Sequence, residues 1–114
     1  MRPQAENDIR VEVEGVGEFR YARRTLGDSL KIRAEFIRLL GGLPPDADDD
    51  LAGMANIFAT HRVLCTGCPA GWEDFGAIDE ASHPHAVATV LEVFFKLKES
   101  EDSFRGGKDG AGKA

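Results

Sequence analysis

Long apolar runs are missing from this chain. None approaches the roughly 20 residues that span a bilayer, so no membrane helix is expected. Cysteine is scarce: Cys65 and Cys68 cannot supply a disulfide framework, and a reducing, cytoplasmic setting is the expectation. The opening Met1-Arg-Pro-Gln-Ala-Glu-Asn-Asp8 is polar and lacks the apolar core of a secretory signal, so secretion is not expected. Excess basic charge is absent as well. The 14 Lys and Arg stand against 20 Asp and Glu, a formal net charge of −6, which disfavours the counterion release on which nucleic-acid binding rests. No glycine-rich loop follows a strand and opens a helix with a phosphate-binding lysine, so nucleotide binding has no support. Asp46, Asp48 and Asp50 lack the glycine and closing glutamate of a calcium loop. Ser29 and Ser82 have no partners arranged as nucleophile and base. The expectation is a protein that is not an enzyme and uses no cofactor or metal.

What is present suits one domain of modest core. The chain has 114 residues, 42% of them hydrophobic, ordinary for a globular protein. Ile9, Val11 and Val13 alternate with charged residues, as do Phe19 and Tyr21 around Arg20. That period of two predicts a hairpin, with strands near 9–14 and 18–23 joined through Gly15-Val-Gly17. Thr25 and Asp28 have capping-box spacing, predicting a helix over 26–40 that stops at Gly41-Gly42. Leu26, Leu30, Ala34, Ile37 and Leu40 share one arc of it, and Ile32, Phe36 and Leu39 the next. So wide an arc is expected to touch both the hairpin and another helix, with Arg33 projecting into it and snorkelling outward. A second, central helix is expected over 49–64, with Leu51, Met54, Ile57, Phe58, Leu64 and Cys65 on one face. Trp72 to Ala81 reads as a loop pinned by Trp72, Phe75 and Ile78. Pro84 suits the first turn of a third helix whose buried arc is Val87, Val90, Leu91, Val93, Phe94 and Leu97.

The fold class expected is therefore α+β, mainly α: an N-terminal β-hairpin on about three helices. Residues 1–8 are expected to be flexible and 9–105 to form a single globular domain. Residues 106–114, with four glycines, are expected to be a disordered tail. Charge is segregated. Residues 20–38 carry six basic against two acidic side chains, and residues 46–80 carry eight acidic against Arg62 alone. Solvated faces and loops are the commoner source of such separation, and orientation of self-association or of a charged partner is the alternative.

Chemistry has one foothold. His61-x3-Cys65-x2-Cys68, with His83 and His85 further on, offers enough ligands for a tetrahedral zinc. A single Cys-x-x-Cys is weak, and a His and Cys on an apolar helix face are more commonly core. A thiol redox role is weaker still, because Cys65 closes a helix, where the dipole disfavours a thiolate. Candidate partner contacts are the loop aromatics Trp72 and Phe75, then Phe104 and Arg105 in the charged closing segment, and Arg33.

Gly15-Val-Gly-Glu-Phe-Arg-Tyr-Ala-Arg-Arg-Thr25, continuing through Asp28, Ile32, Ala34-Glu-Phe36, Arg38-Leu39 and Gly42, resembles the start of bacteriophage tail assembly chaperones from long non-contractile tails. Pro69-Ala-Gly-Trp72 resembles that family's loop after the middle helix, and Glu101-Asp-Ser-Phe-Arg105 its closing segment. The likeness runs in order over about residues 13–105. It implies a non-enzymatic assembly factor without catalytic residues, acting in the host cytoplasm and not retained in the virion. Its implied partners are the tape measure protein, kept soluble, and the tail tube protein, recruited through a longer frameshifted form. Two other classes compete: a virion structural protein such as a tail completion or connector subunit, and a small zinc-binding module.

Overall fold

A computed structural model traces the backbone of residues 1–113 and describes side chains through Phe104. The side chains of the expected disordered tail, 106–114, and the contact role of Arg105 lie outside what is described.

The alternating segment forms strand β1 (Ile9–Val13), with its three apolar side chains inward and Arg10 and Glu12 outward. A turn closed by the Val16 N–H on the Val13 carbonyl at 3.1 Å returns the chain into β2 (Gly17–Tyr21), antiparallel to β1. Gly17 takes φ 137°, and a Cβ there would stand 2.9 Å from Pro69 Cγ, so both backbone and space require glycine. A third strand was not expected. β3 (Cys65–Gly67) runs straight out of a helix and pairs antiparallel with β2, giving the order β1-β2-β3. Three residues are too few to print an alternation.

Helix α1 (Leu26–Leu40) opens on the expected capping box. Thr25 Oγ1 accepts from the Asp28 N–H at 3.1 Å, and Asp28 Oδ2 accepts from the Thr25 N–H at 3.0 Å. Gly41, at φ 62°, ends it in the left-handed conformation. Helix α2 (Asp49–Leu64) starts where Asp48 accepts from the Leu51 N–H at 3.0 Å. After β3 the loop contains one short 3-10 turn, Phe75–Ala77. Helix α3 (Ala86–Lys113) begins two residues beyond Pro84, which belongs to the preceding turn rather than to the helix as expected. There the Asp79 carbonyl accepts from the Ser82 and His83 N–H groups, and its carboxylate accepts from Ala81 and Ser82.

The result is an α+β, mainly α fold: a β-hairpin followed by three helices. α1 packs chiefly on α2, and α3 packs chiefly on β1. Phe19, Tyr21, Leu64, Val93 and Leu97 lie at the centre of the core. Ala86, Val90, Val93, Leu97 and Glu101 form the buried line of α3. Val87, expected on that line, is instead exposed, because Ala86 takes the inward position. Among the described residues no helix is long and apolar enough to cross a membrane.

Residues 1–8, expected to be loose, are held against the domain. Arg2 pairs with Asp28 at 2.8 Å, and Arg20 donates to the Ala5 carbonyl at 3.0 Å. Asp8 Oδ2 accepts from Thr66 Oγ1 at 2.8 Å and from the Ala5 N–H at 3.0 Å. Burial raises the Asp28 carboxyl, but hydrogen bonds from Arg2 and Thr25 outweigh it and leave its pKa below the usual value. Polar side chains anchor this start, which is why an apolar periodicity gave no sign of it. At the other sheet edge, β1 has no strand beyond it among the described residues, and Lys96 Nζ donates to the Glu12 carbonyl there at 2.7 Å.

Candidate functional site

The most exposed apolar surface lies on α1. Ile32 is buried and Phe36 and Leu39 pack against the core, so the second of the two predicted arcs faces α2. Apart from Leu40, which is buried, the first arc is left bare: Leu26 is 89% exposed, Leu30 71% and Ile37 56%. Ala34 and Arg33 are exposed with them, and Arg33 forms no ion pair among the described residues. The expectation that this arc meets the hairpin is corrected, because α1 leans chiefly on α2 and turns its other side outward. Leucines at i and i+4 with an isoleucine seven further on make one continuous stripe.

The N-terminal end of this stripe is tied to α3. Arg24 makes a two-pronged pair with Glu101, Nε at 3.1 Å and Nη2 at 3.2 Å from its two oxygens. Arg23 lays its guanidinium over the Phe104 ring, 4.1 Å from the centroid. Phe104 remains 46% exposed. It lines an open groove of about 550 Å³ between β1 and α3, together with Arg10, Glu12, Lys96, Glu99 and Ser103. Phe104 and Arg33 thus stand at the surface as predicted contacts must.

Trp72 and Phe75 do not. Both are buried, which removes them as contact residues in this conformation. Phe75 stacks on His61 with centroids 3.7 Å apart, and Trp72 meets the Phe19 ring edge-on. The loop needs these anchors because it otherwise carries mainly small and charged residues.

His61 is the polar centre of that aromatic cluster. Its Nε2 lies 2.9 Å from the Trp72 carbonyl, which only accepts, so Nε2 carries the proton. Nδ1 therefore accepts from the Tyr21 hydroxyl at 2.7 Å. Burial pushes the His61 pKa down to about 4, against the backbone contacts at Trp72 and Glu73 that favour the charged ring. Cys65 and Cys68 lie beside it: one ligand atom from each of the three residues falls within 4.8 Å of the others. Burial, and then the neighbouring Cys65, push the Cys68 thiol up to about 12, and burial raises Cys65 too. Protonated thiols next to a neutral imidazole are poor nucleophiles. His83, edge-on to Trp72, stands outside this cluster.

No protein-family model, curated protein or solved structure matches the chain.

Proposed function

We propose that the chain is a phage tail assembly chaperone, a non-enzymatic factor that coats the tape measure protein. The observation that supports this reading is the bare stripe of Leu26, Leu30 and Ile37 on α1. A tape measure protein is long and helical, with apolar faces that aggregate when uncovered. An apolar helix stripe with one unpaired guanidinium beside it fits the apolar face of such a helix, Arg33 meeting an acidic residue on its flank. A net charge of −6 keeps the coated rod dispersed. Recruitment of tail tube subunits follows once the rod is soluble. The work is done in the host cytoplasm, and the chaperone leaves as the tube closes.

Co-expression with the long helical protein encoded near it tests the reading. The expected result is a soluble complex recovered by pull-down. An insoluble tape measure protein with nothing bound would refute it. Purified virions separate the competing class: a completion or connector subunit stays in the particle, whereas the chaperone is absent from it.

A further inference from the structure

We infer that His61, Cys65 and Cys68 form a binding site for one zinc ion at the junction of α2 and the sheet. The sequence alone favoured a plain core histidine, and the fold changes that balance. His61 occupies the last turn of α2, Cys65 caps that helix and opens β3, and the chain turns back beyond Gly67 to bring Cys68 alongside. Residues separated by three and then two positions thus converge from a helix, a strand and a loop. Their ligand atoms lie within 4.8 Å of one another. Tetrahedral zinc, with bonds of about 2.0–2.3 Å, needs ligand atoms about 3.5 Å apart. Side-chain rotation is the movement that would have to close that difference.

The imidazole is oriented as a ligand would be. Its Nε2–H is held by the Trp72 carbonyl at 2.9 Å, the outer hydrogen bond that fixes a metal-binding histidine. This leaves the Nδ1 lone pair as the donor once the Tyr21 hydroxyl, now 2.7 Å away and hydrogen-bonded to it, turns aside, and the fourth position is left to solvent. Two sulfurs and one imidazole nitrogen select zinc over magnesium or calcium, which require oxygen. Cys68 is only half-buried and gives the ion its way in. Binding exchanges two protons for one cation: each thiol releases one to solvent, and the two thiolates balance the zinc charge. The inference does not depend on what α1 binds.

The test uses the full chain, reduced and freed of metal, titrated with Zn²⁺ against a chromophoric chelator and separately with Co²⁺. Expected are one equivalent of Zn²⁺ and two protons released per ion. Co²⁺ should give sulfur-to-cobalt charge transfer with tetrahedral visible bands. Cys68→Ser should weaken binding on the order of 100-fold while leaving circular dichroism and melting in chelator unchanged. Absence of a saturable zinc step, or affinity unaltered in Cys68→Ser, would overturn the site. Should that variant fail to fold, a wild-type cobalt spectrum without sulfur charge transfer overturns it equally.

Discussion

Glu35 links two helices through a single carboxylate. It pairs with Arg38 one turn along α1, and Oε1 also accepts from Arg62 of α2 at 2.8 Å. The Arg38 hydrogen bond, with Arg62 adding to it and burial opposing, holds its pKa at about 2 against an ordinary 4.5. A carboxylate depressed in the folded state stabilises it above the unfolded pKa, and that contribution fades as pH falls from 4.5 toward 2. Glu35→Gln is therefore expected to lower the melting temperature at neutral pH and to match wild type near pH 2. Since both arginines are largely exposed, added salt should shrink the neutral-pH difference. Arg24 presents a different case, for its partner Glu101 is buried. Arg24→Met strands that carboxylate and should cost about 1–3 kcal/mol in urea unfolding at pH 7. An unchanged midpoint would mean that Glu101 finds water instead.

Among the elements, α1 carries the sharpest prediction. Leu30→Glu alters a side chain that the folded domain leaves in water, so stability should change by no more than about 0.5 kcal/mol. The same change should remove about 1.5–3 kcal/mol of binding, the worth of one buried leucine, and leave co-expressed tape measure protein insoluble. Ile32→Ala, on the packed side of the same helix, should do the reverse, destabilising the chain by about 2–5 kcal/mol. This contrast marks what the sequence conveys. The limits of α1 and α2 were readable because Thr25, Gly41 and Asp48 are local caps, acting within a turn of themselves. Which side of α1 would be covered was not, because periodicity reveals an apolar arc without naming its neighbour. Trp72 and Phe75 were ambiguous for a related reason: a loop aromatic looks alike whether it turns inward or outward. β3 escaped notice because its pairing is set by β2, far away in the chain. His61 and the two cysteines were visible as a spacing, but only the reversal after Gly67 sets them together.

At the scale of the whole molecule, a single stripe of three exposed aliphatic residues gives weak attachment, and coverage of a rod must come from numbers. If the proposed coat forms, light scattering of the purified complex should give many copies of this chain for each tape measure chain. A one-to-one complex would contradict this coat. Crowding of that kind brings identical surfaces together, and here β1 matters, since among the described residues its outer side has no strand to pair with. Lys96, ion-paired with Glu92 at 2.9 Å, spans to the Glu12 carbonyl and occupies that acceptor. Each copy thereby presents its neighbours with a stoppered carbonyl and a charged pair on that flank, so close ranks along a filament need not turn into cross-linked sheets.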